Sequence, residues 1–458
     1  MSETKSPVET PIRKWPRKVK TAVVGATVGN ILEWYDYFVY GTLAGLVFPA
    51  LFFPDVDPFI GTVASFSTFF VGFLARPLGG IIFGHFGDKY GRKNTLLASL
   101  LTMCAGSLAI GLMPTFDQIG LWAPVLLVVA RFVQGIGVGG EWGGAVILAS
   151  EWAPKTRRGL VTSFVEIAAP VATLLAVGAV SLSASISGDT FDDTGLTAGW
   201  RWPFYISVLI AVVGFYLRSK VDESPEFEEA KATRGDTKEA NSPLRSLMRK
   251  QWREVLLCTA LRAAENSSYY IFATFSIPLA IMYVGLAEQT ILNALAVASG
   301  ICIPFMLYAG HLSDRIGRTK VYVGSAAFMA LATIGFFATL QFGSEALIIV
   351  AFSGSLIPWA LHYGAQPALI IESFGVLQRY SGASIGYQVA SPLWGGLSPL
   401  IATLLVQINP WLVAAYLVVL CGLTIVATLL LVRVRAKALR EEQELITDGN
   451  STTEQAVQ

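Results

Sequence analysis

The stretch GHFGDKYGRK at residues 84–93 recurs as GHLSDRIGR at residues 310–318, 226 positions further along the chain. Both copies follow a long apolar run and repeat the same four residues at the same spacing: Gly84, Asp88, Gly91 and Arg92 in the first copy, and Gly310, Asp314, Gly317 and Arg318 in the second. A polar motif repeated at this distance indicates that the chain consists of two related halves.

Two further pairs of stretches support the repeat. Residues 33–40 (EWYDYFVY) correspond to residues 265–272 (ENSSYYIF), and residues 151–158 and 372–379 both begin with glutamate and end with arginine. Parallel repeats of this kind are typical of transporters whose two halves move around a shared site in the middle of the membrane.

The composition excludes several classes of protein. Of the 458 residues, 53% are hydrophobic and 14% are charged, and the mean hydropathy is +0.57. Soluble proteins carry about 25% charged residues, so a soluble enzyme, a disordered chain and a nucleic-acid-binding protein are excluded. Twelve apolar runs, most of them roughly 20 residues long, can each cross the bilayer as a helix. We therefore predict an all-α membrane protein with twelve transmembrane helices in two pseudo-symmetric six-helix bundles.

Basic residues are distributed unevenly over the connections. If both termini are cytoplasmic, 29 of the 33 basic residues fall on the inner side of the cell membrane, in agreement with the positive-inside rule. The predicted organisation is a cytoplasmic tail, a first bundle, a cytoplasmic loop, a second bundle and a cytoplasmic tail, at 1–20, 21–217, 218–251, 252–434 and 435–458.

Three helical stretches, together with the repeated motif, resemble a known family. They read GNILEWYDY at 29–37, RFVQGIGVGGEW at 131–142 and GWRWPF at 199–204. The chain resembles the major facilitator superfamily and, within it, the metabolite:proton symporters that include shikimate, oxoglutarate, citrate and proline/betaine permeases. The resemblance implies alternating access. It also implies that Asp88 contacts the start of the eleventh helix near Gly382 and closes a cytoplasmic gate, with Asp314 and Arg318 repeating the arrangement.

Ionisable residues inside apolar spans are costly, and each is a functional candidate. From the helical rise of about 1.5 Å per residue, Asp36 and Arg131 lie at similar depths in the outer half of the membrane. We expect them to form an ion pair that opens when Asp36 is protonated, with Glu33 as a further proton-coupling group. The alternative is a static pair that only holds two helices together.

A second group of candidates lies near the bilayer centre in the seventh span. Arg262 suits the capture of a substrate carboxylate, because a guanidinium can donate two parallel hydrogen bonds. Alternatively, Arg262 and Glu265 neutralise each other, since they stand three residues apart on one helix. The predicted substrate-binding set is Arg262, Glu265, Tyr269, Tyr270, Tyr37 and Gln134.

Three more intramembrane groups have accessory roles in this prediction. Glu141 and Glu166 could relay protons inward or neutralise Arg76. His362 is the only histidine of its span, and such a residue is more often a satisfied cavity-wall group than a proton donor.

The sequence thus predicts a secondary transporter that carries a small organic acid, such as shikimate or a di- or tricarboxylate, inward with protons. A zwitterion such as proline or betaine is the alternative, and a non-transporting receptor is disfavoured by the short tails. The four cysteines are isolated and no nucleophile or metal cluster is evident, so we expect no enzyme activity, cofactor or metal. The expected partners are the solute, protons and the lipid bilayer, with no nucleic acid, and the monomer is expected to function.

Overall fold

The computed structural model describes residues 17–90, 92–139, 153–219, 251–281, 285–340, 345–374 and 379–455, with a few isolated positions between them. Outside the described residues lie most of the N-terminal tail 1–20, most of the central loop 218–251, Gly91 and Glu141. Of Gly84, Asp88 and Arg92 only the helical backbone is described.

The first half contains six long helical segments. Their bounds are α1 Arg17–Leu46, α2 Pro58–Tyr90, α3 Arg92–Gly111, α4 Trp122–Gly139, α5 Arg158–Glu166 continued by Ala168–Ser187, and α6 Trp202–Ser219. Short helices at Phe48–Phe52 and Phe116–Ile119 lie in the connections. Pro77 lies inside α2, which a membrane helix tolerates because its neighbours compensate the lost hydrogen bond.

The second half repeats this pattern with two irregular helices. Its segments are α7 (Trp252–Leu261, Ala263–Tyr270, Ile271–Phe275 and Ser276–Leu279), α8 Glu288–Ile316, α9 Arg318–Leu340, α10 Glu345–Glu372, α11 (Arg379–Ala390, Ser391–Gly396 and Leu397–Ile408) and α12 Pro410–Gln455. Ile271–Phe275 and Ser391–Gly396 are π-helical turns, a feature that often marks functional sites. Gly317 joins α8 to α9 with φ +100°, a conformation that favours glycine.

The helices pair in the same way in both halves. In the first half α2 and α3 pack on α4, α3 packs on α6, and α1 packs on α5 and α6. In the second half α8 and α9 pack on α10, α9 packs on α12, and α7 packs on α11 and α12. The sequence repeat is therefore also a repeat of helix packing.

Eight of the described helical stretches are long and apolar enough to cross a membrane on length and composition alone. The other four segments of the repeat are α1, α3, α6 and α7; α1 and α7 carry the buried acids and polar residues of the site, which lower their hydropathy. Large apolar side chains such as Leu209, Leu331 and Val419, each 68% exposed, face outward, as a surface in contact with lipid requires.

The two halves meet along α1–α7, α2–α11 and α5–α8. At one end, which we call the signature end because it carries the Gly310–Arg318 motif, a Cβ atom on Gly310 would lie 2.6 Å from the carbonyl oxygen of Gly159. At the opposite end a Cβ atom on Gly45 would lie 3.2 Å from Cδ of Pro278. The two halves therefore approach each other closely at both of these points.

Candidate functional site

The polar face of α1 is built by helical spacing. Glu33, Asp36, Tyr37 and Tyr40 recur at intervals of three, one and three residues, so they lie along one side of the helix. All four side chains are no more than 1% exposed. In a membrane this face has no water to satisfy it, so its partners must come from neighbouring helices.

Glu33 finds its partner on α2. Its carboxylate forms a buried ion pair with Arg76, whose guanidinium also lies 4.8 Å from the ring centroid of Tyr37. Arg76 is therefore neutralised by Glu33, whereas Glu141, one of the partners considered from the sequence, lies outside the described residues.

Asp36 and Arg131, both within the described chain, form no ion pair with each other, so the prediction of a direct pair is wrong for this structure. Instead Asp36 accepts a hydrogen bond from the hydroxyl of Ser107 on α3. Gln134 on α4 donates to the same hydroxyl oxygen at 2.6 Å, and its own side-chain oxygen accepts from Arg131 Nη1. Two uncharged side chains thus connect the acid to the base.

Arg131 is held mainly by aromatic rings. The carbon at the centre of its guanidinium lies 4.1 Å from the ring centroids of both Tyr37 and Tyr40. Its Nε and Nη2 atoms have no hydrogen-bond partner among the described residues. Ring faces stabilise a cation electrostatically, but they do not satisfy the in-plane donors of the guanidinium, of which Nε packs against Gly72 of α2.

The second half neutralises its charges on one helix. Arg262 and Glu265 of α7 form an ion pair at 3.2 Å, as in the second sequence alternative. Arg262 also donates to the Tyr387 carbonyl at 2.7 Å, and Gln366 of α10 donates to Glu265 at 3.1 Å. Gln366, Tyr387 and Ser107 were missed from the sequence, because single polar residues in apolar helices are common and their pairing depends on how the helices are rotated.

Aromatic side chains from both halves meet between α1, α7 and α10. The rings of Tyr269 and Trp359 are 4.1 Å apart, and those of Trp359 and Tyr363 stack at 5.1 Å. Trp34 of the first half lies 6.4 Å from both Tyr270 and Tyr363. We call Trp34, Tyr269, Trp359 and Tyr363 the aromatic cluster. The predicted residues Tyr37, Tyr269 and Tyr270 thus surround one region, no side chain of which is more than 4% exposed.

The structure describes two of the three accessory groups, Glu166 and His362. Glu166 of α5 hydrogen-bonds with Tyr363 of α10 and so joins the two halves. His362 stacks on the Tyr322 ring at 3.5 Å, and its Nδ1 lies 2.9 Å from the Ser325 hydroxyl. Its Nε2 atom is buried without a hydrogen-bond partner among the described residues, so only one of the two ring nitrogens is satisfied.

The signature end is closed by the second copy of the motif. Asp314 accepts hydrogen bonds from the backbone nitrogens of Gly159 and Leu160, both at 2.9 Å, at the start of α5. A negative charge is favourable at a helix N-terminus. Arg318 donates to Asp314 at 2.6 Å and to both carboxylate oxygens of Glu372. The contact expected of Asp88 near Gly382 falls on side chains outside the described set.

Comparison with known proteins identifies the architecture. A model of the Major Facilitator Superfamily matches residues 37–386. The chain belongs to this superfamily. It is 38% identical over 421 residues to the shikimate transporter of Escherichia coli K12, covering 90% of this chain and 94% of that protein. It is 34% identical over 403 residues to the proline/betaine transporter of the same strain, covering 85% and 78%.

A solved structure extends the likeness in fold. The xylose transporter XylE from E. coli, in a partially occluded inward-open conformation, superimposes with a TM-score of 0.70 at 17% identity, over 91% of this chain and 98% of that one. The predicted all-α superfamily fold and the resemblance to metabolite:proton symporters are confirmed. The chain is a multi-pass membrane transport protein.

Proposed function

We propose that this protein takes up a small organic acid together with protons by alternating access. It binds the solute between the halves, in the region bounded by Arg131, Tyr270 and the aromatic cluster. It is not an enzyme, it acts as a monomer, and it sits in the inner or plasma membrane with both termini and the signature end in the cytoplasm.

The observation that carries this proposal is the buried carboxylate Asp36, linked by two neutral side chains to the buried cation Arg131. A buried carboxylate can be ionised or protonated, and a neighbouring charge shifts the balance between these two forms. Because the halves contact each other at both ends, release of solute and proton requires the contacts at one end to break.

The proposed direction of coupling follows from protonation. Asp36 takes up a proton from the acidic outer side while the end of the molecule opposite the signature end is open. On the less acidic inner side it loses the proton, after the Gly159–Gly310 contact at the signature end has opened. A gradient of one pH unit corresponds to about 1.4 kcal/mol per proton, which supports about tenfold accumulation of solute.

A zwitterion remains the second candidate, and the aromatic cluster is the observation that favours it. Clustered rings of tryptophan and tyrosine are suited to contact with a quaternary ammonium group. The two candidates differ in charge. A monocarboxylate with one proton carries no net charge, whereas betaine with one proton carries one positive charge and gains about 2.3 kcal/mol, or roughly fiftyfold accumulation, from 100 mV.

The test is uptake into vesicles reconstituted with the purified protein. Labelled shikimate and labelled glycine betaine are offered separately, first under a pH gradient without a membrane potential, and then under a potassium-diffusion potential without a pH gradient. We expect shikimate to accumulate under the pH gradient alone. Betaine accumulation under both conditions would establish the second candidate, and uptake of both solutes without response to either gradient would overturn proton coupling.

A further inference from the structure

Arg131 differs from the other buried arginines of the described chain. Arg76 and Arg262 each pair with a carboxylate. Arg201 lies at the end of the molecule opposite the signature end. It donates to the backbone carbonyls of Thr194, Gly195, Gly111 and Met113. Arg131, with 0% exposure, has only the side-chain oxygen of Gln134 as a described hydrogen-bond partner. An ionised side chain without a counter-charge is expensive in the membrane interior, so this cation needs an anion.

Asp36 can supply part of that negative charge, but only at a distance. Ser107 and Gln134 stand between the two groups, and the Nε and Nη2 donors of Arg131 remain without a partner. A carboxylate bound to these donors would lie in the plane of the guanidinium, where paired hydrogen bonds are strongest.

Charge balance then couples the two ligands. Without solute, ionised Asp36 and Arg131 sum to zero. If a substrate carboxylate binds Arg131 while Asp36 stays ionised, the region acquires a net negative charge in a medium that solvates it poorly. If a proton binds Asp36 at the same time, the sum returns to zero. Anion and proton therefore favour each other's binding.

We propose that Arg131, and not Arg262, binds the substrate carboxylate, and that it does so when Asp36 is protonated. This inference rests on the proposed function and specifies how proton binding and solute binding are coupled. Arg262 also has Nε and Nη2 atoms without a hydrogen-bond partner among the described residues, but its charge is already balanced by Glu265 and it donates to the Tyr387 carbonyl.

Polar groups on α7 of the facing half, together with Trp34 on α1, fit the rest of such a substrate. The hydroxyl of Tyr270, the amide nitrogen of Asn266 and the indole nitrogen of Trp34 are buried without a hydrogen-bond partner among the described residues. Tyr270 packs against Phe69 and Phe73 of α2, the same rings that contact Tyr37. These groups can donate to hydroxyl or carbonyl oxygens, so the favoured substrate is a carboxylate that carries further oxygen atoms.

Other ionisable groups face the Asp36–Arg131 region from the packed helices. Glu33 is neutralised by Arg76, and the remaining groups are neutral near pH 7 in their ordinary state: Tyr35, Tyr37 and Tyr40 on α1, Cys104 on α3, and Tyr270 on α7. Of the ionisable groups that the structure describes in this region, Asp36 is thus the one whose protonation changes the charge.

The test measures equilibrium binding of labelled shikimate to the full-length protein in detergent between pH 5.5 and 8.5, without any gradient. Wild-type affinity should fall about tenfold per pH unit once Asp36 is ionised, because one proton is linked to each bound anion. Asp36→Asn should bind tightly and independently of pH. Arg131→Gln should lose at least about tenfold in affinity at low pH, and Arg131→Lys should recover part of it.

Two comparisons make the result specific. The methyl ester of shikimate, which lacks the charge, should bind weakly and equally to wild type and Arg131→Gln. Arg262→Lys should keep the pH profile of the wild type. Size-exclusion chromatography and thermal unfolding confirm that each variant is folded.

The inference is overturned if Arg131→Gln binds shikimate with wild-type affinity and pH dependence, or if Asp36→Asn retains that dependence. Either result, found alongside gradient-driven uptake by the wild type, leaves the proposed function intact. Wild-type protein that neither binds nor accumulates shikimate overturns both.

Discussion

In the second half of the molecule, Arg262 and Glu265 stand three residues apart on one helix and form an ion pair. In the first half, Asp36 on α1 reaches Arg131 on α4 only through Ser107 and Gln134. The two halves share their helix pairing, yet Asp36 and Arg131 of the first half are held apart by neutral side chains, whereas Arg262 and Glu265 of the second half are paired. The repeat gives both halves a similar arrangement of helices. The placement of a few charged residues makes the first half the one in which proton and solute binding are coupled.

The largest expected effect comes from removing the coupling acid. Asp36→Asn should abolish gradient-driven accumulation of labelled shikimate in vesicles, because the region can no longer gain and lose a proton. Exchange of labelled for unlabelled solute across the membrane should continue. Asp117→Asn, which removes an exposed acid near α4, is the control and should accumulate normally. Full accumulation by Asp36→Asn would remove the distinction between the halves.

Breaking the paired charges should mainly affect stability. Arg262→Gln leaves Glu265 buried without its counter-charge, and such a loss costs about 3–5 kcal/mol. The double variant Arg262→Gln with Glu265→Gln should regain most of this. Arg131→Gln should change the free energy of unfolding by less than about 1 kcal/mol, since no carboxylate of the described residues contacts Arg131 directly and Asp36 can take up a proton.

Thermal unfolding of the four proteins in one detergent measures these differences. Equal losses in Arg262→Gln and Arg131→Gln would mean that both arginines serve the fold in the same way, contrary to the comparison.

The closed signature end offers a third test. Gly310→Ala places a Cβ atom 2.6 Å from the Gly159 carbonyl oxygen, so the halves cannot close fully there. We expect transport rates to fall by about tenfold, and cysteine labelling at this end to increase. The matched control on the same helix is Gly300→Ala, where a Cβ meets no atom within 4 Å. A normal rate for Gly310→Ala would show that this contact is not required for the cycle.

The smallest effect is expected from the cap of α5. Asp314→Asn keeps a hydrogen-bond acceptor but removes the charge that faces the helix start and Arg318. Charge at a helix terminus contributes about 0.3–1 kcal/mol, so the balance between conformations should shift by only a few fold. Fluorescence energy transfer between the halves can measure it, and a loss as large as that of Gly310→Ala would contradict this ranking.

Much of the fold could be predicted from the sequence, because length, hydropathy and basic residues reflect the thickness and polarity of the bilayer. The ionisable members of the candidate site were predictable for the same reason, since a charge stands out in an apolar run. The Arg262–Glu265 pair followed from helical spacing. The chain through Ser107 did not, because a serine is unremarkable there and the rotation of α3 against α1 decides its partner.

The π-helical turn at Ile271–Phe275 directly follows Tyr270 in α7. Such a turn accommodates one residue more than an α-helical turn, so deletion of one residue there would leave regular helix and rotate everything beyond it by about 100°. Single-residue insertions or deletions at this position could therefore present a different set of side chains to the cargo, which offers evolution and engineering a short route to altered selectivity on an unchanged scaffold.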